Sequence, residues 1–157
     1  MFHVVLIEPE IPWNTGNVGR TCLAAGAELH LVGPLGFFLD QAEVKRAGLD
    51  YWEKVKLHRH PTWEKFLENL PPQAPLFFFS TKGRKTLWEA DFPGEAYLIF
   101  GKETAGFPKD FYEIYQDWLY RIPQQEDSVR SLNLSTSVGI ALFEAVRQTR
   151  VGSHLEE

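Results

Sequence analysis

The sequence holds a single cysteine, Cys22. An internal disulfide is therefore impossible, and no ligand cluster accompanies Cys22 that would make it part of a metal site. Set within a helical pattern, it reads as a small core residue. No stretch approaches the ~18 consecutive apolar residues of a membrane-crossing helix. The start, MFHVVLIEPE, has neither a basic region nor a cleavage site, so no signal peptide is read. A cytoplasmic protein without membrane association is expected. The histidines His3, His30, His58, His60 and His154 show no ligand spacing, and no metal is expected. Ser-His-Asp order, a paired-carboxylate site, a P-loop and H-E-x-x-H are all missing.

Positive charge is also in short supply. Sixteen Lys and Arg face twenty-one Asp and Glu, for a net charge of −5. That balance counts against bulk attraction to nucleic acid. A local basic face stays open, because the field near a site matters more than the total. The cations do cluster, at Lys45 and Arg46, at Lys54 to His60, at Lys82, Arg84 and Lys85, and at Arg121, Arg130, Arg147 and Arg150.

What is present suits one α/β domain spanning residues 1–157. A chain of this size can bury about 70% of its unfolded surface. The apolar runs Phe2 to Ile7, Leu76 to Phe79 and Tyr97 to Phe100 suit strands covered on both faces, as in a parallel sheet. Glu28 to Val32 and Trp118 to Ile122 are further strands, and Asp50 to Leu57 is read as a short one. Asn14 is placed as the cap of a helix ending at Gly26, with Val18, Cys22 and Ala25 facing inward. Asp40 to Ala47 is read as a short helix, and Pro61 to Leu70 as a helix opened by proline and turning Trp63, Phe66, Leu67 and Leu70 inward. Leu134, Val138, Ala141, Leu142, Ala145 and Val146 repeat at helical spacing and give the longest amphipathic helix. Strands alternating with helices predict a mainly parallel sheet flanked by helices.

Three strand-end loops are rich in glycine and small polar groups: Asn14 to Arg20, Gly101 to Pro108 and Gln124 to Asn133. Loops of this kind at strand C-termini point to a composite ligand site. NTGNVGR fails the G-x-G-x-x-G pattern, and no acidic residue closes the second strand, so a dinucleotide is not the expected ligand. Arg20 could clamp a phosphate with its planar fork, or simply lie on the surface. Glu103 is the one carboxylate of the second loop, and Ser131 and Asn133 supply polar groups in the third. By residues alone, each could equally be a cap or a solvated side chain.

Four blocks carry a resemblance. They are EPEIPWNTGNVGRT (Glu8 to Thr21), GPLGFFLD with KRAGLDYW (Gly33 to Trp52), FGKETAGFP (Phe100 to Pro108), and RIP with DSVRSLNLSTSVGIALFEAVRQ (Arg121 to Gln148). In this order they resemble the SPOUT-class RNA 2′-O-ribose methyltransferases, most closely the subfamily acting on cytidine or uridine at the tRNA wobble position. The resemblance implies an α/β fold with a C-terminal deep trefoil knot, which general topology rules would not predict. It implies S-adenosylmethionine as cofactor, with S-adenosylhomocysteine as product, a homodimer, and the tRNA anticodon stem-loop as partner. The cofactor pocket would involve Phe79, Gly101, Ile122, Ser131, Glu103 and Gly106. Asn14, Arg20, Glu103, Ser131 and Asn133 match the catalytic polar positions. Arg20, Lys45, Arg46, Lys82 and Arg84 would hold RNA. Trp13, the bulky Phe79 and Gln124-Gln125-Glu126 depart from the common pattern.

The implied reaction is in-line attack of a ribose 2′-oxygen on a sulfonium methyl. A protonated guanidinium offers donors and no acceptor. Arg20 is therefore expected to grip the target phosphate and stabilise the developing alkoxide, while phosphate or water takes the proton. Three other readings stay open. One is a non-catalytic RNA-binding module of the same fold. Another is a nucleotide-binding regulator or oxidoreductase. The third is the same chemistry at another tRNA position or on ribosomal RNA.

Overall fold

The computed structural model describes residues 1–39, 44, 46 and 49–150. Its strands are β1 (Phe2–Ile7), β2 (Glu28–Val32), β3 (Leu57–His60), β4 (Leu76–Phe79), β5 (Lys85–Thr86), β6 (Ala96–Phe100) and β7 (Leu119–Arg121). Its helices are α1 (Pro12–Ala25), α2 (Trp63–Glu68), α3 (Phe111–Ile114) and α4 (Leu134–Arg150). The seven strands form one sheet in the order β3-β2-β1-β6-β4-β7-β5. All these strand pairings are parallel, with Val4 opposite Leu29 on one side and Leu98 on the other.

The apolar runs became the strands that both layers cover. Every residue of β1 and of β6 is buried. Alternate side chains serve opposite faces, as the pleat requires. Val4, Leu6, Leu29, Leu31, Leu98 and Phe100 pack against α1 and α4. Val5, Ile7, Phe78 and Ile99 pack with Phe66 of α2 and Phe111 of α3. The expected inward stripe of α4 is present, with Val138, Ala141, Leu142, Ala145 and Val146 buried. Cys22 lies fully buried in the first cluster. Burial pushes its thiol up to about 12, which makes it a core group and no nucleophile.

Several boundaries differ from the sequence reading. Helix α1 begins at Pro12 with Ile11 as an N-cap that makes no side-chain cap bond, so Asn14 sits inside the first turn rather than at its cap. Gly26 ends the helix as expected, at φ 72. Asp50 to Leu57 is no strand. Leu49–Lys54 is a 3-10 turn, and the strand starts at Leu57. Helix α2 starts at Trp63, because the Thr62 side chain accepts the Lys65 N–H at 3.2 Å; Pro61 lies outside it, and Leu67 is exposed. Of the expected helix at Asp40 to Ala47, only Val44 and Arg46 are described, both helical; its other positions, Lys45 among them, lie outside the described residues.

The histidines gather where no spacing announced it. His3 Nδ1 lies 3.0 Å from His30 Nε2, and His30 Nδ1 lies 3.0 Å from His60 Nε2. His3 Nε2 is 3.4 Å from a Glu95 carboxylate oxygen. One tautomer set serves the whole row: His60 donates to His30, His30 to His3, and His3 faces Glu95, with every ring neutral. Among the described residues no group of three or more His, Cys, Asp or Glu could hold a metal ion.

Burial, together with His58, His3 and His60 nearby, lowers the His30 pKa from 6.5 to about 3. The unfolded chain therefore binds a proton that the folded chain refuses. Stability is complete above pH 6.5 and falls as the pH drops from there towards 3, by an amount on the order of 4 kcal/mol. Urea midpoints are expected to fall steadily between pH 7.5 and 4.5, and to fall less in His30→Asn. An equal fall in both proteins would show that His30 is not the group responsible.

Candidate active site

At the C-terminal ends of the central strands lies a cavity of about 600 Å³. That size is typical of small-molecule sites, roughly 300–1,000 Å³. Its wall comes from all three polar loops: Asn14, then Gly101 to Phe107, then Arg130 to Leu134. Phe79 and Phe100, the last residues of β4 and β6, line it as a stacked pair with centroids 5.1 Å apart. Ile122 and Gln124 follow β7, and Ser80, Thr81 and Lys82 follow β4.

The loop after β6 closes on itself. Lys102 and Gly106 exchange backbone bonds of 3.2 and 3.0 Å. This draws the Gly106 carbonyl over Gly101, where a Cβ would stand 2.4 Å from the Gly106 carbonyl carbon and 2.7 Å from the Phe107 nitrogen. Only glycine fits such a backbone crossing. Gly106 itself sits at φ 70, in the left-handed region that favours glycine.

A chain of side-chain bonds joins the loops. Glu103 accepts the backbone N–H groups of Glu10 at 2.9 Å and Ile11 at 2.7 Å, and the Asn14 amide at 3.4 Å. A carboxylate here serves the start of α1, whose own N-cap lacks a side-chain bond, and complements the helix dipole. Asn14 in turn accepts the Asn133 amide at 3.2 Å. Asn133 then caps α4, its oxygen accepting from the Ser135 N–H at 2.9 Å and the Ser135 hydroxyl at 2.6 Å. One Asn133 amide thus caps α4 and reaches Asn14 from the cavity wall. Asn14 is 2% exposed, so its orientation is fixed by these partners.

A second latch runs the opposite way. Glu10 accepts from the Thr104 hydroxyl at 2.7 Å and the Thr104 N–H at 3.1 Å. The hydroxyl bond, then the backbone bond, holds the Glu10 carboxyl below the usual carboxylate range. Glu10 was legible only as part of the turn after β1. Its partner lies 94 positions away, and no single-chain spacing reveals such a pair.

Of the residues singled out from sequence, the cavity wall includes Asn14, Phe79, Lys82, Gly101, Glu103, Gly106, Ile122, Ser131 and Asn133. Arg20 is not among them. It is exposed, further along α1, with its guanidinium carbon 5.9 Å from the Tyr51 ring centroid. Arg46 and Arg84 are exposed outside the wall, while Lys45 lies outside the described residues. Sequence reasoning missed Tyr112, which lines the cavity with the Lys82 ammonium 4.7 Å from its ring centroid, and Arg130. It also missed the Gln124 side-chain oxygen, which is buried and has no hydrogen-bond partner. A buried lone acceptor in a cavity wall is costly unless a ligand or solvent meets it.

Residues 1–143 match the model of the SpoU rRNA Methylase family. A tRNA (cytidine(34)-2′-O)-methyltransferase of Burkholderia cenocepacia is 45% identical over 150 residues, covering 94% of this chain and 96% of that protein. A solved structure described as giving insights into the 2-OH methylation of C/U34 on tRNA superimposes with a TM-score of 0.89 at 48% identity, covering 95% of this chain and 96% of that one. An AdoMet-bound rRNA methyltransferase from Sinorhizobium meliloti gives a TM-score of 0.83 at 30% identity, over 93% of this chain and 56% of that one.

Proposed function

The chain belongs to the SpoU rRNA Methylase family, and from that premise we propose that it methylates the ribose 2′-hydroxyl of the wobble nucleotide, cytidine or uridine 34, of tRNA. The observation that carries this reading is the bonded chain Glu103–Asn14–Asn133, which ties the three loops around one cavity. S-adenosylmethionine, with S-adenosylhomocysteine as product, is the fitting ligand, and it supplies a methyl group already activated on a positively charged sulfur.

The residues present suit that ligand. Phe79, Phe100 and Ile122 offer an apolar wall, and Gly101 lets the backbone approach closely. The Ser131 hydroxyl is a polar group of the wall available to a ligand, and the buried Gln124 oxygen lies behind it without a hydrogen-bond partner among the described residues. Glu103 and Gly106 keep the loop in shape rather than doing chemistry. Asn14 and Asn133 fix the start of α1 against the start of α4, so the cofactor wall and the helix carrying Arg20 move as one body. Arg20 grips the phosphate beside the target ribose and steadies the negative charge that grows on the 2′-oxygen. Phosphate or water takes the proton, because a protonated guanidinium has no acceptor.

The anticodon stem-loop is held by Lys82 at the cavity, by the exposed Arg46 and Arg84, and by Lys45. The single domain spans 1–157, and its C-terminal segment passes through a loop as a deep trefoil knot. Support comes from β6, which enters between the earlier strands β1 and β4. The protein works as a homodimer with RNA contacts from both subunits. Trp13 on α1 and Phe143 on α4, exposed by 54% and 46%, supply apolar surface for that contact. A tRNA substrate places the work in the cytoplasm; among the described residues no helix is long and apolar enough to cross a membrane.

The test is methylation of total tRNA with labelled S-adenosylmethionine, followed by mapping of the labelled nucleoside. Label in 2′-O-methylated cytidine or uridine at position 34 is expected. Label elsewhere in tRNA, or only in ribosomal RNA, would replace the substrate; no label with bound cofactor would make the protein a binding module.

A further inference from the structure

Beside Arg20, and outside the cavity, stands an exposed aromatic ring with two cations near it. The Tyr51 ring is 46% exposed. The Arg20 guanidinium carbon and the Lys54 ammonium each lie 5.9 Å from its centroid. Neither cation makes an ion pair among the described residues.

The arrangement is held from beneath. Gly19 precedes Arg20, and Trp52 follows Tyr51. The Trp52 ring packs against the helix at Gly19, where a Cβ would come within 2.7 Å of it, and Val55 closes in at 3.2 Å. Trp52 and Val55 are the partly buried side chains that seat the 3-10 turn Leu49–Lys54 on the core. The inner pair Gly19–Trp52 thus fixes the outer pair Arg20–Tyr51. A helix-interior glycine weakens α1 by roughly 1 kcal/mol against alanine. Here it allows the docking that puts an aromatic ring beside the arginine.

We propose that Tyr51 is an RNA-contact residue whose ring stacks on an unpaired base of the anticodon loop, while Arg20 and Lys54 hold the phosphates on either side of that base. Unpaired bases in RNA loops are splayed out and stacked on aromatic side chains, and cations along the backbone accompany such platforms. The assignment rests on the reading of this chain as a tRNA methyltransferase and adds a specificity element to it. Arg20 then serves two neighbours, the phosphate and the ring that orients the nucleotide.

The experiment compares binding of unmodified tRNA by the full-length protein and by Tyr51→Ala, Tyr51→Phe and Lys54→Ala, across a salt series, with calorimetry of S-adenosylhomocysteine alongside. Tyr51→Ala is expected to weaken tRNA binding about tenfold with an unchanged salt slope, since a stacked ring releases no counterions. Tyr51→Phe is expected to stay within about twofold, because it keeps the ring. Lys54→Ala is expected to reduce the salt slope by roughly one, as a phosphate contact should. The S-adenosylhomocysteine affinity of all three should match the parent. Tyr51→Ala binding tRNA like the parent would overturn the proposal, as would failure of Tyr51→Phe to restore binding, or a loss that tracks cofactor affinity or melting temperature. A parent protein that binds S-adenosylhomocysteine but no tRNA would overturn the wobble-base reading itself, and this assignment with it.

Discussion

Arg20→Ala is expected to lower kcat/KM for tRNA by about a thousandfold, while S-adenosylhomocysteine affinity and melting temperature stay close to the parent values. The size follows from what Arg20 is proposed to do. Removing one donor that faces developing oxyanion charge costs ~10²–10³ in rate, and loss of a phosphate grip adds to that in kcat/KM. The selectivity follows from where Arg20 sits. It is exposed on α1, outside the cavity wall and outside the core, so its truncation leaves no buried partner stranded. Single-turnover methylation and calorimetry on the same preparations separate the two effects. Arg20→Lys keeps the charge and loses the planar fork, so it should recover only part of the activity. Near-full activity in Arg20→Lys, with a pH–rate profile following the lysine, would mean that the side chain at this position takes the proton, and the assigned role would be wrong.

Gly101→Ala is expected to abolish cofactor binding, by more than about a hundredfold, and to lower the melting temperature as well. A Cβ at this position would sit 2.4 Å from the Gly106 carbonyl carbon, 2.7 Å from its oxygen and 2.7 Å from the Phe107 nitrogen. All three are backbone atoms, so no side chain can swing away, and strain here is settled by moving the loop. The displaced loop carries the Lys102–Gly106 bonds, Glu103 and Thr104, and through them both latches to the start of α1. Calorimetry with S-adenosylhomocysteine reads the loss, and far-ultraviolet circular dichroism shows whether the sheet survives it. Binding within a few fold of the parent would mean that this loop does not wall the cofactor.

The parts of the fold legible in the sequence were those whose cause is local. β1, β4 and β6 stand where their apolar runs place them, because strands covered on both faces have no polar alternation to confuse the reading. The α4 stripe was equally plain. The edge was not. β3 reads LHRH, half-exposed and polar, while the apolar-looking segment before it forms a 3-10 turn seated by Trp52 and Val55. β5 has two residues and exists only because β7 lies beside it.

The site divides the same way. Glycine-rich loops at strand ends pointed to the place where the cavity lies. What each polar residue does was hidden, because its partner is distant in the chain. Asn14 passes for a helix cap until Glu103 and Asn133 appear, 89 and 119 positions on. Glu10 passes for a turn residue until Thr104 reaches it. The histidine row spans three neighbouring strands, and the pairing that assembles it belongs to the sheet rather than to any segment.

The order of the strands has a bearing on synthesis. The two central pairings of β1 and β4 are both made with β6, and β7 separates β4 from β5. On the ribosome β1, β2, β3 and β4 all emerge before the strand that must stand between them. The growing chain then holds one partial sheet, β3-β2-β1, with an open inner edge, while β4 waits for both of its partners, β6 and β7, and its buried phenylalanines have nothing permanent to lie on. α4, which seals one face, is the last of the described elements to be made. Contacts of such long sequence separation form slowly and leave apolar surface open in the meantime. Until the end of α4 clears the exit tunnel, this chain is a natural client for whatever shields nascent hydrophobic segments.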